Sequence, residues 1–170
     1  DLKRKQVEAS LQQSEQFLRT VIETEPECVK VVDRKGRLIN MNAAGLNMLE
    51  ADSLEAVKQH SLLKFVLPPY RDSYLALQNR VMKGETGTLE FEIRGLKGTR
   101  RWLETHAAPL TDSTDGTFMM LAVTRDITQR KQTEQALLAS ENRLMLAIKG
   151  SSDAPWDWDL ASDQMYYSPQ

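Results

Sequence analysis

The chain repeats itself at an offset of 126 residues. Residues 4–18 read RKQVEASLQQSEQFL and residues 130–144 read RKQTEQALLASENRL, with eight of the fifteen positions identical. Self-similarity at a fixed period is the signature of an array of modules. Neither copy contains Gly or Pro, and each runs into a region rich in strand formers. The sequence is thus read as one complete module held between two equivalent helical connectors. The expected organisation is a coiled-coil-like connector helix over 1–25, a domain over 26–126, a linker helix over 127–150, and the truncated start of a second domain over 151–170.

The two connectors share a stepped series. Positions 4, 8, 11, 15, 18 and 22 carry Arg, Glu, Leu, Glu, Leu and Ile, and positions 130, 134, 137, 141, 144 and 148 carry the same residues in the same order. Alternating steps of four and three make a heptad seam. Its apolar half is Leu11, Leu18 and Ile22 in the first helix and Leu137, Leu144 and Ile148 in the second. The other half is charged, so the seam should pair weakly. Either it meets a second copy of the chain, or each helix lays its stripe on its own domain.

Between the connectors, Pro26 ends the first helix, because a proline disfavours helical geometry in the residue before it. Cys28–Asp33 reads as a strand, Arg34-Lys-Gly36 as a tight turn and Arg37–Met41 as the returning strand. Helical pieces follow over Ala43–Glu50 and Ser53–Gln59, with a short turn near Leu62–Val66 and a longer helix after Pro68-Pro69. Asn42 and Ser53 stand where N-caps belong, and Pro69 suits a first turn. After Gly84 the period changes to two: Leu89, Phe91 and Ile93 alternate with Glu90, Glu92 and Arg94. Strands over Arg100–Leu110 and Thr117–Arg125 complete the pattern. Two strands, a run of helices and three strands describe an α+β domain, a five-stranded antiparallel sheet with its helices gathered on one face.

In that order the motifs resemble the PAS family of sensor domains. They are Asp33-Arg-Lys-Gly36, Ile39-Asn-Met-Asn-Ala43, Gly84-Glu85, Arg101-Trp-Leu-Glu104 with Pro109, Gly116, and above all Thr124-Arg-Asp-Ile-Thr128 running into a charged helix. The tail Trp156-Asp-Trp-Asp-Leu160 with Tyr166-Tyr-Ser-Pro169 resembles the first two strands of another PAS domain. The resemblance implies a PAS fold flanked by amphipathic helices and a sensory and dimerisation module in a bacterial-type multidomain signalling protein. Its output domain, a histidine kinase or a diguanylate cyclase or phosphodiesterase, would lie beyond this segment. An interaction scaffold that takes no ligand is the alternative.

Composition narrows the partners. A net charge of −2 gives no general attraction to nucleic acid or an anionic membrane. The longest apolar runs, such as Phe118–Val123, are too short to span a bilayer. The single Cys28 forms no internal disulfide and fits a reducing, cytoplasmic setting. The expected partners are a second copy of the chain and an output domain in the same chain, with no nucleic acid and no direct membrane contact.

No catalytic constellation is visible, and no nucleophile stands beside a base. Haem-binding PAS domains use a histidine on the long helix, and Tyr70–Leu75 holds none; flavin light sensors need a cysteine in the preceding helix, and residues 53–67 hold none. Haem and covalent flavin are therefore not expected. His60 and His106 are read as surface or packing residues, since a metal needs three or four convergent ligands. Asp153, Asp157 and Asp159 are read as solvated charges.

Strand alternation then assigns the faces. Inward positions are Leu89, Phe91, Ile93, Leu103, Thr105, Ala107, Met120, Ala122 and Thr124. Small residues at Thr105, Ala107 and Ala122 leave room for a weakly held apolar ligand, in a pocket lined also by Phe65, Leu75, Phe91, Ile93, Leu103 and Thr124. In the competing reading, Met48, Phe65, Leu75 and Met120 fill that space. On the outward face Trp102, Leu121 and Val123 call for a cover, either the N-terminal helix through Leu11, Leu18 and Ile22 or a second subunit. Asp126 is expected to cap the linker helix, whose seam residues Leu137, Leu144 and Ile148 would relay a signal.

Overall fold

Alternation of apolar and polar residues builds the expected sheet. The computed structural model describes residues 1–150, 156–159 and 164–167. They fall into two units, Asp1–Thr128 and Gln129–Gln170. In the first, α1 (Leu2–Thr24) precedes β1 (Cys28–Val32), β2 (Leu38–Met41), α2 (Ala43–Met48) and α3 (Leu54–Lys58). Two 3-10 turns, Leu62–Lys64 and Pro68–Tyr70, lead into α4 (Arg71–Met82), followed by β3 (Gly87–Arg94), β4 (Arg100–Thr111) and β5 (Phe118–Asp126). The strands lie in the order β2-β1-β5-β4-β3, every neighbour antiparallel. The α+β class and the five-stranded antiparallel sheet are those expected.

Local chemistry sets the helix ends. Asn42 Oδ1 accepts from the Gly45 amide at 3.1 Å, and Ser53 Oγ from the Ala56 amide at 3.2 Å, so α2 and α3 begin where caps were expected. Helix α2 stops at Met48, short of the expected Glu50, because Glu50 takes a left-handed conformation with φ of 57°. Helix α4 turns Tyr74, Leu77 and Val81 into the core at helical spacing. Leu75 follows Tyr74, a step of about 100° around the helix at 3.6 residues per turn, and is 39% exposed. Its expected place in the pocket wall is thus corrected: Tyr74 takes it.

Register explains a second correction. Gly87, Ala107, Ala122 and Lys30 lie side by side across β3, β4, β5 and β1. A Cβ on Gly87 would stand 2.6 Å from Leu77 Cδ1, so α4 comes down directly on the small-residue end of this row. Thr105, Ala107 and Ala122 are buried. The helix, rather than a ligand, uses the space they leave.

The N-terminal helix does not cover the outward face of the sheet, which corrects the helix-covered reading. No residue of α1 is buried, and Leu11, Leu18 and Ile22 are 59%, 55% and 39% exposed. Among the described residues its last turn alone is tied down: Asn42 Nδ2 donates to the Ile22 carbonyl at 2.8 Å, and the Glu23 carboxylate accepts from the Ala43 amide at 3.3 Å. Both anchors sit at the start of α2, so the helix is held by its end. Trp102, Leu121 and Val123 are half-buried. Part of the cover over Trp102 is Tyr70, whose ring meets the indole edge-on at 5.5 Å.

Helix α5 (Thr128–Gly150), in the second unit from Gln129 onward, buries none of its residues; Leu137, Leu144 and Ile148 are exposed. Strands β6 (Trp156–Asp159) and β7 (Gln164–Tyr167) pair antiparallel. The expectation for Asp153, Asp157 and Asp159 as solvated charges lies outside the residues whose side chains are described. Among the described residues no helix is long and apolar enough to cross a membrane.

Candidate sensory cavity and exit junction

A cavity of about 30 Å³ lies inside the first unit. Since one water needs about 10–15 Å³ of such space, it holds about two waters or a very small molecule. Of the expected pocket residues, Phe65, Phe91, Ile93, Leu103 and Thr124 line it, while Leu75, Thr105, Ala107 and Ala122 do not. Thr105 and Thr124 satisfy each other through a buried hydroxyl–hydroxyl bond of 2.8 Å. The rest of the wall comes from β1, Met41 of β2, α2 with Leu49, Leu62 and Val66 around the first 3-10 turn, and Tyr74 of α4.

Two of those wall residues escaped the sequence reading. Lys30 is only 7% exposed, and its Nζ stands 5.5 Å from the centroid of the Tyr74 ring. Tyr74 is 3% exposed, rests edge-on against Phe91 at 5.5 Å, and its hydroxyl has no hydrogen-bond partner among the described residues. Burial works against the Lys30 ammonium, but the Tyr74 phenol and the Cys28 thiol outweigh it and hold the group above its ordinary value. Burial pushes the Cys28 thiol further up, against a smaller downward pull from Lys30. In the sequence Cys-Val-Lys-Val-Val either parity of β1 could face the core, and a lysine between valines points to the solvent side. The structure takes the other parity, burying Cys28, Lys30 and Val32. Tyr74 did carry a signal in its spacing to Leu77 and Val81.

The exit from the sheet is a small polar junction. Asp126 Oδ1 accepts from the Thr128 amide at 2.9 Å and from its hydroxyl at 2.6 Å, so it caps the start of α5 as expected. Thr128 Oγ1 in turn accepts from the Trp102 amide, and the Ile127 amide donates to the Trp102 carbonyl at 2.8 Å. Ile127 itself is buried. On the other side of the carboxylate, Arg101 Nε stands 3.3 Å from Asp126 Oδ2. The same guanidinium reaches the Met48 carbonyl at 3.3 Å and the Glu50 carboxylate at 4.0 Å. Glu50 also holds the β3–β4 hairpin, accepting from the Thr99 amide and hydroxyl. Arg101 thus joins the end of α2 to the exit, while Met48, Leu49 and Leu103 also line the cavity.

The entry has its own hub. Buried Asn42 accepts from the Val29 and Gly45 amides and donates to the Ile22 and Glu27 carbonyls. The sequence reading found the cap but not these longer contacts. Both histidines sit away from the cavity: His60 Nδ1 is 3.2 Å from Lys64 Nζ, and exposed His106 Nε2 is 2.9 Å from Glu104. Among the described residues no three His, Cys, Asp or Glu side chains converge as a metal site would require.

Comparison with known proteins agrees with this architecture. The family model described as PAS fold matches residues 22–132. Sporulation kinase A of Bacillus subtilis (strain 168) is 33% identical over 129 residues, covering 75% of this chain and 20% of the kinase. The chain thus spans about a fifth of that curated relative. Among solved structures, the PAS domain of an HTR-like protein from Haloarcula marismortui superimposes with a TM-score of 0.61 at 22% identity, covering 72% of this chain and 99% of that one. A domain of a sensory box sensor histidine kinase/response regulator from Geobacter sulfurreducens gives 0.54 at 18% identity, over 66% of this chain and 95% of its own. At such identities the structural likeness carries the fold alone; the family match carries the assignment, and the chain belongs to the PAS family of sensory signalling modules, which are not themselves catalytic.

Proposed function

We propose that this chain is the sensory and dimerisation segment of a cytoplasmic part of a multidomain signalling protein. A change at the cavity or at the subunit interface passes through α5 to an output domain in the same chain. The domain boundaries are 26–126 for the PAS core, 1–25 and 127–150 for the connectors, and 151–170 for the start of a second PAS domain. A histidine kinase is the favoured output, given the relatives' names; a diguanylate cyclase or phosphodiesterase is the alternative. Homodimerisation uses the exposed seams Leu11-Leu18-Ile22 and Leu137-Leu144-Ile148, with Trp102, Leu121 and Val123 as the facing sheet surface.

The observation that carries this reading is Arg101, one side chain that touches both the Met48 carbonyl and Asp126. Met48 lines the cavity and Asp126 caps the exit helix. A displacement of the α2 end by a ligand would therefore alter the charge partner of the cap. The helix beyond it runs 23 residues, about 35 Å at 1.5 Å per residue. Insertions after Gln135 in the full-length parent test the relay. Seven residues keep the phase of the seam, whereas four displace it by about half a heptad. The relay predicts near-normal regulation with seven and lost or locked output with four. Equal behaviour of the two would make α5 a passive tether.

The small cavity favours a second reading, a scaffold that takes no ligand and reads only its partner. Purified full-length protein that responds to no small molecule yet keeps the insertion phase dependence would select it.

A further inference from the structure

The cavity wall contains a cation without a counter-ion. Among the described residues no carboxylate pairs with Lys30, although the residue is almost wholly buried. Burying an ammonium with no anionic partner is among the costliest arrangements a core can hold. Beside it, the Tyr74 hydroxyl is a buried donor with no acceptor. Buried polar groups in native proteins are nearly always satisfied, so this one unpartnered hydroxyl beside an almost wholly buried ammonium points to a missing acceptor on the cavity. The surrounding wall is apolar, formed in part by Phe65, Phe91 and Ile93.

We propose that the cavity binds a short-chain monocarboxylate, its carboxylate pairing with Lys30 Nζ and accepting from the Tyr74 hydroxyl while its alkyl end rests against Phe65, Phe91 and Ile93. One cation and one hydroxyl match a single negative charge. A dicarboxylate or phosphate monoester would bring a second charge against an apolar wall that cannot solvate it. The volume of about 30 Å³ admits little beyond acetate or propionate unless the flexible Met41 and Met48 side chains swing aside. The inference rests on the reading of this cavity as the sensory input and names the class of molecule it takes.

The test uses the 170-residue chain, titrated with sodium acetate, propionate and butyrate. Sodium chloride and propionamide at matched ionic strength serve as controls, and amide chemical shifts and thermal midpoint as readouts. Saturable shifts at cavity residues and a midpoint that climbs with carboxylate concentration are expected, with neither control producing them. Lys30→Met keeps the length of the side chain and removes its charge, and should weaken carboxylate affinity by about ten- to a hundredfold. Tyr74→Phe removes only the hydroxyl and should weaken it by about three- to tenfold. It stands as the second probe should Lys30→Met fold poorly. Absence of saturable binding by every carboxylate, or binding unchanged in both variants, overturns the proposal. Saturation by chloride or propionamide overturns the carboxylate while leaving an input pocket in place. The insertion series reads the relay separately: loss of its phase dependence would sink the relay and leave carboxylate binding intact.

Discussion

Replacing Asp126 with Ala removes the one carboxylate shared by the exit helix and Arg101. The cap on the Thr128 amide contributes about 1 kcal/mol. The pair with Arg101 joins side chains that are 25% and 36% exposed, so solvent screening reduces it to about 0.5 kcal/mol. Thr128 adds a third part, because its hydroxyl donates to Asp126 and accepts from the Trp102 amide. Loosening that hydroxyl forfeits a fraction of one further hydrogen bond, itself about 1 kcal/mol. The expected loss for Asp126→Ala is about 2 kcal/mol. Asp126→Asn keeps an oxygen for the Thr128 amide and gives up the charge, so it should lose only about 0.5 kcal/mol. Urea unfolding followed by far-ultraviolet circular dichroism gives both values, and hydrogen exchange at the Trp102 and Thr128 amides locates them. A double-mutant cycle with Arg101→Met should return a coupling of about 0.5 kcal/mol. An Ala variant within 0.5 kcal/mol of the parent chain, or an Asn variant as damaged as Ala, would refute this account of the junction.

Asn42→Ala should cost about 3 kcal/mol, since it strands the Val29 and Gly45 amides and the Ile22 and Glu27 carbonyls at a buried position, and a loss under 1 kcal/mol in urea unfolding would contradict the hub. Burial works to raise the Asp33 carboxyl, but hydrogen bonds from Arg37 and the Lys35 amide override it and leave it below its usual 3.8. Its stabilising contribution is therefore complete above that unfolded value and falls away as pH drops through the lower folded one. Urea midpoints between about pH 6 and 2 should converge for the parent chain and Asp33→Asn at the acid end, and a gap that widens on acidification would reverse the sign.

Sheet and helix identities were legible because period-two and period-3.6 patterns are strong where one face is buried. Phe91 and Ile93 alternate with charged residues, and Tyr74, Leu77 and Val81 fall on one helical stripe. What the sequence hid depended on contacts between distant elements. The small row Gly87, Ala107 and Ala122 suggests room, but only the register brings it under Leu77. Lys30 was hidden because a five-residue strand of mostly apolar residues has no parity signal, and hydropathy alone puts a lysine outside. Arg101 lies in a motif that was read, yet its bridge from Met48 to Asp126 spans residues far apart in the chain. Leu75 was misplaced by a single step around α4, which suffices to turn a side chain from core to solvent.

The connectors carry a physical demand of their own. Isolated helices are marginal in water, and in proteins most helical stability comes from packing an amphipathic face. Helices α1 and α5 each run 23 residues and bury none of them. Their charged seam positions are partly neutralised within each helix: Arg4 pairs with Glu8 at 3.0 Å, and Arg130 approaches Glu134 at 3.7 Å, the same pair in both copies of the repeat. Exposed pairs of this kind add only a few tenths of a kcal/mol each. The apolar half of each seam is left as the stabilising resource, three aliphatic side chains at heptad spacing in each helix, all exposed. A partner helix that covers Leu137, Leu144 and Ile148 would stabilise the rod and fix its rotational phase through the same contacts. Stability of α5 and transmission through it would then not be separable properties. A substitution that strengthens the seam, such as Glu141→Leu, should raise helix content and bias the output toward one state together, whereas a passive spacer would gain helix content with its regulation unchanged.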